Sequence, residues 1–270
     1  NVEGIEKSYS VSPTGDILQI NPVIKPAGRD YDCFWTVTSA SATWGDKVDT
    51  ISRSQNLEYK INLDMGAYKL RFNAKDRLTG VFSYTEYDLS VTTDMETGWW
   101  ILKTIDGNTD IDFFSNEKAK PDVIMNANGQ RLNGEALNVD YTSNFWKFNA
   151  DKQTDERVSA VFVASKGDIA ALDYFTGRII SNYDQLFVDA PAKHEVRGMF
   201  TGPSDTHVYV DGHIYTMYHS KYSIYNQFVI KALGDYDIAP QHHAAGSLPV
   251  LVNRANSSFC SVSRTPSTID

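Results

Sequence analysis

Six histidines are the first residues of this sequence that could do chemistry, since a neutral imidazole binds metals and titrates near neutral pH. His207, His213 and His219 are evenly spaced. A two-residue turn at Asp211-Gly212 would pair Val210 with His213 and His207 with Thr216. His207 and His213 then lie on opposite faces of a hairpin and cannot share an ion. His242-His243 follows Pro240 in an expected loop, and neither H-E-x-x-H nor C-x-x-C spacing occurs. Asp106, Asn108, Asp110 and Asp112, with Glu117 eleven places after the first, reproduce part of a calcium-loop spacing. Ile111 stands where that loop needs a glycine, and the alternation through Ile111 and Phe113 favours a polar turn followed by a half-exposed strand. No metal and no cofactor is assigned.

Nucleophilic chemistry fares no better. There is no G-x-S-x-G elbow, and Ser165-Lys166 and Ser220-Lys221 lack a supporting motif. Any two of the 34 acids could flank a glycosidic bond, but nothing singles out a pair. The chain therefore reads as non-enzymatic, with hydrolysis of a glycan or peptide kept as an alternative. Aromatic residues give the best positive signal. Trp99-Trp100 and Phe145-Trp146 sit where successive side chains face opposite ways, so one ring of each pair is expected in a core and one outside. Trp44 falls in a Ser/Thr-rich loop. Exposed aromatic rings stack on sugars and fill interface pockets, so Trp44, Trp99, Trp100, Phe145 and Trp146 are the candidate ligand or interface residues.

Strands must position these groups. Ile17, Leu18 and Ile20 precede Asn21-Pro22, and Tyr31, Cys33, Trp35 and Val37 alternate with Asp32, Thr36 and Thr38. Leu57, Tyr59, Ile61 and Leu63 form another such set, followed by Tyr68, Leu70, Phe72 and by Phe82, Tyr84, Tyr87, Leu89, Val91. Short strands at this spacing match an antiparallel sandwich of the immunoglobulin or fibronectin kind, with Trp35 in its core. The Thr92–Gly98 stretch breaks the pattern. Beyond it, hairpins are expected around Asp106-Gly107, Lys166-Gly167 and Asp211-Gly212, a loose repeat consistent with propeller blades. Ser181 to Phe187 is a candidate short helix after an Asn or Ser cap. The expected organisation is all-β: a leader or tether over 1–15, a sandwich over 16–95, and a β-rich, propeller-like domain over 96–270 with an irregular tail from Pro240.

Composition narrows the partners. Net charge is −9 with a pI of about 5.1, the wrong sign for a nucleic-acid surface. No apolar run reaches the roughly 18 residues of a membrane span. The chain opens at Asn1 rather than Met, so any signal peptide or lipid-bearing cysteine is expected to lie outside it. Cys33 and Cys260 could pair, but two unpaired thiols are the simpler reading.

Tyr31-x-x-Phe34-Trp35, the alternating strands to Val91, and Gly98-Trp99-Trp100-Ile101-Leu102-Lys103 leading to Asp106-Gly107-Asn108-Thr109-Asp110 resemble the PKD-like family of Bacteroidetes surface lipoproteins. The resemblance covers residues 16–115. It implies an immunoglobulin-type domain joined to a β-propeller-like one, and an N-terminal lipid anchor on the outer membrane that holds the protein at the cell surface. It also implies partnership with a TonB-dependent transporter barrel and its lid-like lipoprotein, importing a glycan or an oligopeptide. A free-standing surface protein that binds glycans through exposed aromatics is the alternative.

Overall fold

In the computed structural model the alternating strings become strands, which take up 59% of the residues against 4% for helices. The structure describes residues 2–13, 16–43, 47–93, 95, 97–116, 118–149, 153–202, 205–219, 227–232, 236–243 and 249–262. It divides into two units, Asn1–Asp94 and Met95–Asp270, and the break falls in the stretch where the alternation stops.

In the first unit, alternation puts every second side chain into one core. Tyr31–Ser39 and Gly66–Asp76 pair antiparallel, as do Gly66–Asp76 and Phe82–Val91; Asp49–Ser52 and Ser8–Val11 form the edges of this five-stranded sheet. Trp35, Val37, Leu70, Phe72, Leu89 and Val91 leave its inner face and pack on Leu18, Ile20 and Leu57 from the Ile17–Ile20 and Leu57–Lys60 pair. Trp35 is 0% exposed; its indole Nε1 donates to the Gln55 carbonyl at 3.0 Å. The expected leader belongs to this sandwich. Val2–Glu3 pairs with Val23–Ile24, and Ser8–Val11 runs parallel to Asp88–Val91. Tyr9 and Val11 alternate with serines and reach the core, a signal only four residues long and hidden between polar flanks.

Among its described residues the second unit holds four successive antiparallel sheets. The first holds Trp99–Ile105, Asn108–Phe114 and Ala119–Lys120, with Leu132–Asn133 paired to its second strand. The second holds Ala136–Asn149, Thr154–Ser165, Ile169–Asp173 and Ile179–Ser181. The third holds Val196–Thr201, Asp205–Val210, His213–Tyr218 and Ile230–Lys231; the fourth Ile238–His243, Val250–Asn253 and Ser258–Ser261. Three apolar seams join them in order. Ile111 and Phe113 meet Val161 and Val163; Phe162 and Ala164 meet Met199 and Val208; Tyr209 and Ile214 meet Ile238 and Leu251. The leading strands of neighbouring sheets lie side by side, as in propeller blades.

The three expected hairpins all form. Val210 faces His213 and His207 faces Thr216, with Asp211 (φ 48°) and Gly212 (φ 75°) in the left-handed region that a tight two-residue turn requires. The Tyr183–Leu186 helix carries a capping box between Asn182 and Gln185. The tail expected to be irregular instead supplies the fourth sheet, and His242 and His243 lie in its first strand rather than a loop. Its strands are too short, and its alternation too brief in Val250–Asn253, to stand out from a Ser- and Ala-rich sequence.

His219 sits in the seam between the second and third sheets, its Nε2 2.8 Å from Thr206 Oγ1 and its Nδ1 3.3 Å from Thr142 Oγ1. Burial pushes its pKa down to about 4. The unfolded chain takes up this proton below the ordinary histidine value of about 6.5, whereas the folded one resists it until about pH 4. Stability is therefore lost as pH falls through that window, by roughly 3 kcal/mol from this group. Denaturant titrations at pH 7 and pH 4 should show the wild type losing more than His219→Gln. An equal loss in both would contradict a buried neutral imidazole.

Candidate functional site

The face of the five-stranded sheet turned away from the core should be polar, and half of it is. Lys69 pairs with Asp88 at 2.7 Å and Arg71 with Glu86 at 2.7 Å, a ladder of opposite charges across adjacent strands. Toward the other end of the same strands the face becomes aromatic. Phe34 and Phe82 stack with ring centroids 6.3 Å apart, and the Arg71 guanidinium lies 5.0 Å from the centre of the Tyr84 ring. Phe82 is 53% and Tyr84 57% exposed. On the same face, Asn73 is buried and donates to the Phe34 carbonyl and to Thr36 Oγ1, both at 3.3 Å, which ties the central strands together.

Phe34 also walls a cavity of about 470 Å³, together with Tyr31, Asp32, Arg53, Gln55 and Arg77. Arg77 is paired with Asp32 at 2.6 Å. Arg53 is exposed and has no ion pair among the described residues. The neighbouring turn is held by Asp76, whose carboxylate accepts the Leu78 and Thr79 amides at 2.9 Å each and meets Arg29 at 3.0 Å. The Thr79 amide first, then Arg29, hold this carboxyl below the ordinary carboxylate range. Flat rings beside a cavity rimmed by a guanidinium, an amide and a carboxylate suit a ligand with both apolar faces and many hydroxyls.

Residues 1–136 match the PKD-like family, which is just over half of the chain. The chain belongs to the PKD-like family. The match runs through the whole first unit and across the first sheet of the second. No curated protein matches. Among solved structures, this PKD-like protein is similar to a quinonprotein alcohol dehydrogenase-like protein from Bacteroides thetaiotaomicron, at 13% identity and a TM-score of 0.37. That match covers 92% of this chain and 55% of the other, so the chain spans about half its length. Hsv2 of Kluyveromyces lactis is similar at 9% identity and a TM-score of 0.27, covering 94% and 92% of the two chains.

The four described aromatic candidates of the PKD-like protein do not assemble into one surface. Trp99 is 78% exposed on the first sheet, while Trp100, behind it, turns inward, 5.0 Å from Phe113 and 5.6 Å from Tyr174. Phe145 is buried against Phe162 at 5.6 Å, and Trp146 is half-buried on the same strand. Trp99 and Trp100 thus split between outside and inside, whereas Phe145 and Trp146 are a buried and a half-buried ring. Trp44 lies outside the described residues. Among the described residues no cluster of three His, Cys, Asp or Glu could hold a metal, and no helix is long and apolar enough to cross a membrane. Cys33 and Cys260 are free thiols, and burial pushes both upward in pKa.

The turn register already set His207 opposite Thr216, but nothing in the sequence singled out Asp205 beside them. His207 Nδ1 is 2.8 Å from Thr216 Oγ1 and its Nε2 is 3.2 Å from Asp205 Oδ1, the residue order of a base relay with the two ring nitrogens exchanged. All three are buried. With no exposed oxygen to attack a substrate, the series serves to bind one strand of the third sheet to the next.

Proposed function

We propose that this PKD-like protein is a non-catalytic binding protein whose first unit takes a carbohydrate chain across Phe34, Phe82 and Tyr84. The exposed aromatic face running into the Tyr31–Arg77 cavity carries the proposal. Sugar rings present C–H faces that stack on such side chains, and their hydroxyls match Gln55, Arg53 and Asp32. The carboxylates nearby are ion-paired and lie at the surface, which is not the buried or like-charged setting of a general acid.

Family membership extends the proposal to a setting. The protein is a lipid-anchored accessory subunit at the cell surface, working beside a TonB-dependent importer and its lid-like lipoprotein. Anchoring raises the effective concentration of such partners, so weak contacts suffice to hold a complex. Two experiments separate the parts. Phe82→Ala combined with Tyr84→Ala is expected to abolish retention on a polysaccharide affinity gel, because stacking contributes about 1 kcal/mol or more per ring. Unchanged retention would remove the aromatic face from the function. Gentle detergent extraction of native membranes should co-isolate the transporter barrel, and isolation of the protein alone would leave a free-standing glycan binder.

A further inference from the structure

A second cavity lies wholly within the second unit. It measures about 380 Å³ and opens where the leading strands of the second, third and fourth sheets begin. Its floor is apolar, made by Leu137, Val196 and Ile238. Its rim is charged: Lys166, Arg197 and Arg254, with Glu195. Three cations around one cavity stand out on a chain of net charge −9.

How those cations are held matters more than their number. Lys166 has its own partner in Glu135. Arg197 and Arg254 share one: the same Asp237 Oδ1 lies 3.5 Å from Arg197 and 2.5 Å from Arg254. Two guanidiniums carry ten N–H donors between them, and a single carboxylate cannot occupy them. Arg197 is steadied from below by the Tyr209 ring, 5.7 Å from its Cζ, and Tyr209 is fixed by its hydroxyl bond to the Tyr236 carbonyl. Asp237 and Tyr209 therefore place the two forks beside the cavity without saturating them, which is how a site for a planar anion is prepared.

We infer that this cavity binds a carboxylate joined to a small apolar body, such as the C-terminal end of a short peptide. The carboxylate meets Arg197 and Arg254, and the apolar group covers Leu137, Val196 and Ile238. Glu195 on the rim opposes more highly charged anions, so the site selects one negative charge with an apolar group rather than charge alone. It is independent of the carbohydrate face, which lies in the other unit.

Titration calorimetry of the intact chain with N-acetyl-leucine, N-acetyl-leucinamide and sodium sulfate tests the inference. N-acetyl-leucine is expected to bind. The amide, lacking the charge, should bind roughly tenfold more weakly or worse, and so should sulfate, lacking the apolar group. Combining Arg197→Gln with Arg254→Gln should remove the preference for N-acetyl-leucine over its amide. Both arginine side chains are about half exposed, so their loss spares the fold. No binding of N-acetyl-leucine, equal binding of the amide or of sulfate, or an undiminished preference in the double variant would each overturn the assignment.

Discussion

Asp110→Ala is expected to destabilise the second unit by roughly 2–5 kcal/mol, the cost of leaving buried helix-start amides without their acceptor. Asp110 is 0% exposed. Its carboxylate accepts the amide of Ile124 at 2.9 Å and that of Met125 at 3.3 Å, and lies 3.0 Å from Arg131 Nε. The short Val123–Asn128 helix has no side-chain cap from Asp122, so Asp110, reaching across from the sheet, satisfies the donors at its start. Alanine removes the acceptor for those amides and one of the two carboxylates beside Arg131, which keeps Asp122 at 3.1 Å. Asp110→Asn keeps an acceptor oxygen and should cost less. Urea unfolding curves of the three proteins measure both differences. A midpoint for the alanine variant equal to that of the wild type would mean that the helix does not depend on this carboxylate.

Trp35→Ala should cost the first unit a comparable amount, roughly 3–5 kcal/mol, through the cavity left by a large ring in a close-packed core. The indole is fully enclosed, meets Phe72 at 4.8 Å between centroids, and donates to Gln55 across the sandwich. Truncation also strands that carbonyl. Trp35→Phe keeps most of the volume and loses only the hydrogen bond, so it separates packing from polarity. Near-ultraviolet spectra and melting of both variants read the effect; an alanine variant indistinguishable from the wild type would place Trp35 outside the core.

These two residues mark how far the sequence could be read. Trp35 stood in phase with Tyr31, Cys33 and Val37, at the mid-strand place where an immunoglobulin-like sandwich keeps a large buried ring. Local reasoning also set the register at Asp211-Gly212, because a tight turn leaves no freedom in pairing. Asp110 was harder. Its spacing with Asp106, Asn108 and Asp112 suggested coordination, and alternation correctly argued for a strand. That its carboxylate serves a helix start depends on residues 14 and 15 positions later, which no local pattern reports.

The aromatic face was missed for a different reason. The tryptophan pairs stand out by size, whereas Phe34, Phe82 and Tyr84 carry a subtler signal. Phe34 is out of phase with Cys33, Trp35 and Val37. Phe82 and Tyr84 are out of phase with Tyr87, Leu89 and Val91. An aromatic residue on the polar phase of a strand is one that the core does not need. The second cavity left no such trace, since Arg197, Asp237 and Arg254 meet only because neighbouring sheets bring their starting ends together.

The order of the seams has a consequence for how the second unit is made. Each sheet pairs strands that lie close together in the chain, and the principal contacts join it to the sheet just before or just after it. Structure can therefore start at any one hairpin and spread outward, since no distant segment has to return before a seam can close. A growing chain emerging from the ribosome could complete and cover its sheets one at a time. Damage would propagate in the same linear way: a fault at one seam would cut the row in two and leave each remnant able to hold its own pairing.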